Sequence, residues 1–313
     1  MKKFFVMLAI FFVNFNFCSA KMQTIEVEYS TPQMQIFEDV IFAEYHTWPE
    51  RILKMDIFIP SDEKRPAVIF IPSGAWIDAS KNAGYQTCFE LARKNFVTAS
   101  IEYRVIGAAS YKEIIGDAKA AVRYLRANAD KYRIDKNKIA VIGASAGGHL
   151  ATMLGVTGEV KTFDFGENLD QSSEVQAVVD FYGSTDLSKM ADDLSADQKK
   201  LYDSPSSFLS LFVNGVAGYK DKKGGSLLDN PEALAEVNPL NYIDKKTPPF
   251  LIFHGDKDTT VSFSQSKILH DALEKNGTEV DFFVIKNGEH RSFYYVQEKL
   301  LKIIEDFLNK QFK

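Results

Sequence analysis

Residues 138–155 read KIAVIGASAGGHLATMLG. An apolar run ends at Gly143, a helical pattern begins near Ala146, and Gly143, Gly147 and Gly148 crowd around Ser145. A simple turn needs one glycine at most, so this crowding marks a backbone bent too tightly for side chains. Strand, G-x-S-x-G and helix together set a serine on a sharp turn at the carboxyl edge of a sheet. Gly143 and Gly147 lack Cβ atoms and let strand and helix pack closely on either side. The helix points its N-terminus at the serine, so the Ala146 amide is placed to donate to a developing oxyanion. The competing reading is a glycine-rich turn that carries an idle serine.

The sequence on either side makes this turn part of an α/β chain. From Thr24 to Pro60 the pattern alternates, in TIEVEY, MQIFEDVIFAEY and RILKMDIFIP, and predicts antiparallel strands with turns at Thr31-Pro32 and Trp48-Pro49. Continuous apolar runs follow: AVIFIP, FVTASIEY, KIAVIG, VQAVVDFYG, PFLIFHG and VDFFVIKN. Such runs suit strands buried on both faces of a parallel sheet. Helical patterns separate several of them. In residues 113–132 Ile114, Ala118, Ala121, Val122 and Leu125 share one face, and residues 263–277 end in Asn276-Gly277, a C-cap signal. Residues 294–312 form a closing amphipathic helix. Residues 187–240 break the rhythm, being rich in Ser, Asp, Lys and Gly around the apolar island SFLSLFVNGVAG. A connection this long suggests a small cap or lid over a single α/β domain; a surface excursion is the plainer alternative.

Composition narrows the function classes. A chain of 313 residues with net charge −5 and no basic cluster does not suit nucleic-acid binding. The first twenty residues read as a secretory signal: a positive MKK, the apolar FFVMLAIFFV, and CSA before Lys21, with cleavage expected after Ala20. The apolar run is short for a membrane span of about 20 residues. A lipoprotein reading would make Cys18 the anchor, but FNFC sets Asn and Phe where small residues are expected. Cleavage leaves Cys88 as the remaining cysteine, so the fold rests on its core and not on an internal disulfide. Cys88 lies in a helical pattern and reads as a buried apolar residue.

A serine hydroxyl needs a base. Of the five histidines, His149 lies within the helix after Ser145, His254 ends a strand and shapes a turn, His270 is mid-helix and His46 belongs to the N-terminal strands. His290 follows the last strand in a loop of Asn and Gly at the sheet's carboxyl edge, where an imidazole can hang over the serine. The acid that orients it belongs on an earlier loop, where Asp256, Asp258 and Asp186 all qualify, and spacing does not separate Asp256 from Asp258. An Asp-x-Asp pair can also bind metal, but no His/Asp cluster completes such a site, so neither metal nor cofactor is expected.

Taken together, AVIFIPSGAW, ASIEYRV, residues 117–151, VVDFYGSTDL, residues 238–261 and NGEH resemble the α/β-hydrolases of the esterase/lipase superfamily. They are most similar to secreted bacterial carbohydrate esterases of the bifunctional acetylxylan/feruloyl esterase type. The likeness runs from about Asp56 through His290. It implies an α/β-hydrolase fold, a mostly parallel central sheet with helices on both faces, antiparallel N-terminal strands and a small cap insertion. It further implies Ser145 as nucleophile, Asp258, in the pattern H-G-x-x-D-x-x-V, as acid and His290 as base, with Asp256 a turn residue.

The family carries H-G-G-G-W where this chain has Pro72, Ser73, Gly74, Ala75 and Trp76. Gly74 and Ala75 keep their amides and are the implied oxyanion donors beside Ala146. Trp76 either walls the substrate pocket or packs the loop. Arg104 and Asp117, also matched, read as a buried structural pair. The implied activity is hydrolysis of acetyl or feruloyl esters on carbohydrates outside the cytoplasm. A general short-chain carboxylesterase or lipase, an arylformamidase or an exopeptidase stands behind it, and a binding scaffold behind those.

Overall fold

The computed structural model describes residues 24–26, 34–46, 50–219, 222–290, 294 and 296–313. The expected signal segment with Cys18, the second half of the TIEVEY run and the turns at Thr31-Pro32 and Trp48-Pro49 lie outside the described residues. Every described strand and helix falls within residues 33–313.

Alternation in the first part of the chain gives two long strands, β1 (Gln35–Tyr45) and β2 (Arg51–Ile59), paired antiparallel. The apolar runs become β3 (Arg65–Ile71), β4 (Val97–Ile101), β5 (Ile134–Ala144), β6 (Ala177–Phe181), β7 (Phe250–Gly255) and β8 (Val280–Ile285). All eight form one sheet in the order β1-β2-β4-β3-β5-β6-β7-β8, in which β2 meets β4 antiparallel and every later pairing is parallel. β4, β6 and β7 are buried at every position, as strands covered on both faces must be. The edge strands β1 and β8 keep many exposed positions.

Helices cover both faces. One face packs α2 (Tyr111–Ala127), α3 (Ala146–Val156) and α7 (Phe263–Asn276), through Ile114, Leu125, Leu150, Leu154 and Leu269. The other packs α1 (Tyr85–Ala92) and α8 (Glu298–Gln311), through Cys88, Leu91, Ile304 and Leu308. The predicted apolar stripe of α2 is fully buried, and Ser110 opens that helix with a capping box to Glu113. Gly277 ends α7 in a left-handed conformation, φ 81°. The closing helix begins at Glu298, later than the apolar pattern suggested, and α2 stops at Ala127. Residues 187–240 carry α4 (Ala196–Asp203), α5 (Phe208–Asn214) and α6 (Pro231–Glu236) with short 3-10 turns, so the apolar island is the helix α5.

Arg104 and Asp117 form the buried pair read from the sequence. The Arg104 guanidinium donates to both carboxylate oxygens, at 2.8–3.1 Å, and the Arg104 amide adds a further bond at 2.8 Å. Tyr45 donates its hydroxyl to Asp117 at 2.7 Å, and its ring lies 3.5 Å under the guanidinium. The cluster ties β1 and the end of β4 to α2. Asp117→Ala leaves the buried Arg104 guanidinium with Glu113 as its remaining carboxylate partner, at 3.1 Å, and equilibrium denaturation should record a loss of up to about 3–5 kcal/mol.

Candidate active site

Ser145 occupies the one-residue reversal between β5 and α3. Its backbone stands at φ 56°, ψ −122°, which a residue with a Cβ adopts only at a cost. The neighbouring glycines make the reversal possible by close approach. A Cβ on Gly143 would lie 2.0 Å from the Gly147 carbonyl oxygen, and one on Gly147 would lie 2.2 Å from that of Ile71. Strand and helix therefore touch through bare backbone. The Ser145 amide donates to the Phe181 carbonyl at 2.9 Å, while the Ser145 carbonyl accepts from the His149 amide at 3.0 Å.

His290 follows β8, and its Nε2 accepts from Ser145 Oγ at 3.1 Å. Nδ1 on the far side donates to Asp258 Oδ2 at 2.7 Å. The tautomer follows from the partners, because a carboxylate can only accept and a hydroxyl can donate. Asp258 sits in the turn after β7. Its Oδ1 accepts the amides of Thr260 and Val261 at 2.8 and 2.9 Å. Burial pushes its carboxyl upward, but the donors from His254, His290 and Thr260 hold it well below the usual carboxylate range. Three side chains far apart in the chain thus form one continuous hydrogen-bonded line, and it ends on a hydroxyl at the mouth of a cleft.

The other candidates stand apart from this line. Asp256 is an exposed turn residue, and Asp186 caps a 3-10 turn by accepting from the Ser188 amide. His149 is buried, with Nε2 donating to the Val237 carbonyl at 2.9 Å, and burial lowers its pKa to about 4. His46 pairs with Glu50, and His270 lies beside Asp271.

The cleft, of ≈ 410 Å³, is lined by Ser145, Ala146, His290, Gly74, Ala75 and Trp76 among others. That volume falls within the usual range for small-molecule sites, about 300–1,000 Å³. The expected oxyanion residues Ala146, Gly74 and Ala75 therefore border the same space as the Ser145 hydroxyl. The tract that carries them is unusual: Gly74, Ala75 and Trp76 all have positive φ, at 125°, 52° and 56°. The Gly74 carbonyl accepts from the Ile77 and Asp78 amides, and the Trp76 carbonyl accepts from the Ile106 amide. Trp76, expected either to wall a substrate pocket or to pack the loop, has the surroundings of a packed side chain. It borders the cleft and is fully buried, stacked on Phe212 of α5 at 4.2 Å.

Met190 and Phe208 also line the cleft, and both come from the 187–240 segment. The apolar island was the one sequence signal for Phe208, and Met190 lies outside it. A second unannounced contact is His254, whose Nε2 lies 3.3 Å from Asp258 Oδ2.

Beneath the turn, Asp180 of β6 lies opposite Gly143 of β5 and is completely buried. Oδ1 accepts from the Gly183 amide at 2.9 Å, while Oδ2 has no hydrogen-bond partner among the described residues. Burial pushes this carboxyl up to about 7, against the single Gly183 bond that lowers it. The folded chain therefore holds a proton there that the unfolded chain has lost, so stability is full in acid and falls as pH rises toward 7. Asp180→Asn removes that loss. Denaturation at pH 4 and pH 8 should show the variant gaining a few kcal/mol on wild type between the two. At Ala75, relief of the left-handed strain should make Ala75→Gly about 0.5–1 kcal/mol more stable, read from thermal unfolding.

Comparison with known proteins places this architecture. The family BD-FAE matches residues 55–273. The chain is 32% identical to Esterase LipC of Mycobacterium tuberculosis over 72% of its own length and 52% of that protein's. It spans about half the length of the curated relatives it matches. Among solved structures, a bifunctional GH43-CE protein of Bacteroides eggerthii superposes with a TM-score of 0.75 at 31% identity, covering 88% of this chain and 38% of that one. A truncated carbohydrate esterase from gut microbiota gives 0.74 at 27% identity, over 91% of this chain and 98% of that one. With the family match extending through most of the sheet, Ser145 and Asp258, the chain belongs to the BD-FAE family of α/β-hydrolase esterases.

Proposed function

We propose that this chain is an exported serine ester hydrolase that removes acyl groups from carbohydrates. The observation that carries the reading is the line from Asp258 through His290 to Ser145 Oγ, with bonds of 2.7 and 3.1 Å, opening on an apolar cleft. In this reading His290 Nε2 takes the Ser145 proton as Oγ attacks the ester carbonyl, and Asp258 steadies the imidazolium that results. The amides of Ala146 and of Gly74 or Ala75 receive the oxyanion. His290 returns the proton to the leaving alcohol, and a water, deprotonated by the same nitrogen, releases the acid from Ser145. The residues 187–240 act as a cap that brings Met190 and Phe208 over the acyl group. The leading MKK and apolar run support export.

Carbohydrate as the alcohol part is supported by the likeness to the two carbohydrate esterases. A second reading, a general short-chain carboxylesterase, is favoured by the cleft itself. Ala75, Trp76, Met190, Phe208 and Val261 give it an apolar lining with few groups to bond sugar hydroxyls.

The deciding measurement is kcat/KM on p-nitrophenyl acetate, methyl ferulate, acetylated xylan and an aminoacyl-anilide, with Ser145→Ala alongside. The variant should lose about 10³-fold or more on every ester that wild type cleaves. Turnover of acetylated xylan or of the ferulate supports the carbohydrate reading, and activity on the small acetate alone supports the general carboxylesterase. Undiminished turnover by Ser145→Ala would sink the mechanism.

A further inference from the structure

The carboxylate of Asp258 has a second imidazole on it. His254, the last residue but one of β7, is fully buried, and its Nε2 lies 3.3 Å from Asp258 Oδ2. That is the oxygen to which His290 Nδ1 donates at 2.7 Å. Val261 contributes its carbonyl 3.1 Å from the same nitrogen of His254. Nε2 therefore faces two acceptors and no donor, which requires the proton to be on Nε2. On the other side of the ring Nδ1 lies 2.7 Å from Ser266 Oγ of α7, a hydroxyl able to donate to it. The two bonds agree on one neutral tautomer.

We propose that His254 is a positioning residue for the hydrolysis: it donates a shared N–H to Asp258 Oδ2 and fixes the carboxylate oxygen that orients His290. The inference rests on the proposed roles of Ser145, His290 and Asp258.

The geometry favours an orienting role over simple space-filling. A buried carboxylate with two amides on Oδ1 is already held at one oxygen, but Oδ2 can still pivot about that anchor. A second donor on Oδ2 restrains that pivot and helps to hold the oxygen toward His290 Nδ1. His254 is itself wedged by Phe263, at 5.5 Å between ring centres, and Tyr182, at 6.3 Å. Tyr182 also lies 4.6 Å from the His290 ring, so one aromatic side chain packs against both imidazoles.

The titratable and charged groups facing the cluster are His290, Tyr182, Tyr202 and Asp193. The Tyr202 hydroxyl of α4 donates to the Thr260 carbonyl at 2.8 Å. Asp193, before α4, accepts from the Ser264 amide at 2.8 Å and from Ser262 Oγ at 3.3 Å. None of these replaces the His254 donor on Oδ2. Losing that donor leaves the negative charge of Asp258 less dispersed and draws the proton of His290 more strongly. The acid limb of the pH profile then moves to higher pH.

Two amide substitutions separate positioning from packing. His254→Gln carries an N–H out to about where imidazole Nε2 stands, whereas His254→Asn stops short at the Nδ1 position. Both variants, with wild type and Ser145→Ala, are assayed on p-nitrophenyl acetate across pH 5–9, beside their thermal unfolding. We expect His254→Asn to lose roughly 10- to 100-fold in kcat at little change in KM, the rate equivalent of one hydrogen bond to a charged group. Its acid limb should move upward, while His254→Gln recovers most of both.

Ser266→Ala, which releases the tautomer from the far side, provides a milder variant of the same sign should His254→Asn fail to fold. An unshifted limb in Ser266→Ala, or equal losses in the Asn and Gln variants that follow only their stability, overturns the inference. A wild type that hydrolyses no ester overturns the functional reading beneath it, whereas an active wild type with indistinguishable amide variants overturns this inference alone.

Discussion

The approach of α3 to the end of β3 is the contact on which the cleft depends. Bare backbone at Gly147 lets the first turn of the helix rest against the Ile71 carbonyl, and bare backbone at Gly143 lets the strand turn into that helix at once. Ser145 then has one residue in which to reverse the chain, and it does so in a conformation costing about 1–3 kcal/mol. The surroundings offset that cost by satisfying both of its backbone groups, through Phe181 and His149. The same contact sets a second distance. Ile71 ends β3, and the tract from Pro72 to Trp76 leaves from there. Pressing α3 on β3 therefore brings the Ala146 amide and the Gly74–Ala75 backbone to one space, although they come from strands joined by more than sixty residues of chain.

Electrostatics then decides what that space can do. Asp258 is a charge taken out of water, and a buried carboxylate without donors would protonate. Two amides from its own turn and two imidazoles keep it ionised. Asp180, on β6, the strand before β7, is the counter-example: one amide is not enough, and burial wins. The contrast is local. The turn after β7 folds back on its own carboxylate, whereas Asp180 lies inside a strand whose amides are committed to the sheet.

Much of this was legible in the sequence because short-range sterics and solvent access leave marks in composition. Runs such as AVIFIP and PFLIFHG announce strands buried on both faces, and the glycines around Ser145 announce the close approach they permit. His290 was separable from the other histidines because a loop rich in Asn and Gly at a strand end leaves a side chain free to swing. The choice between Asp256 and Asp258 was not legible from spacing, since it turns on which carboxylate the loop curls inward. The link from His254 to Asp258 was hidden for the same reason: i and i+4 across a tight turn meet only once β7 and α7 fix the turn's shape. Met190 and Phe208 reach the cleft through tertiary packing of α5 and the turn before α4. Local pattern shows the α5 segment to be apolar, gives no sign of Met190, and says nothing of where either docks.

The tract Pro72-Ser73-Gly74-Ala75-Trp76 holds two residues with side chains in left-handed backbone. Proline has no amide to offer, but its carbonyl accepts from the Tyr103 hydroxyl at 3.1 Å, which pins the start of the loop. Ala75 and Trp76 keep left-handed backbones that glycine would adopt without strain, and each adds about 1 kcal/mol of unfavourable conformation. Packing supplies the opposing term. Trp76 is buried to the last atom, flat against Phe212 and edge-on to His149, and its carbonyl holds the Ile106 amide. Burial of an aromatic ring of that size outweighs two strained residues. The conformation of the proposed oxyanion loop therefore depends on α5, a helix of the 187–240 segment. That segment and the loop form a single energetic unit, so a change in α5 reaches the Gly74 and Ala75 amides through the Trp76 ring.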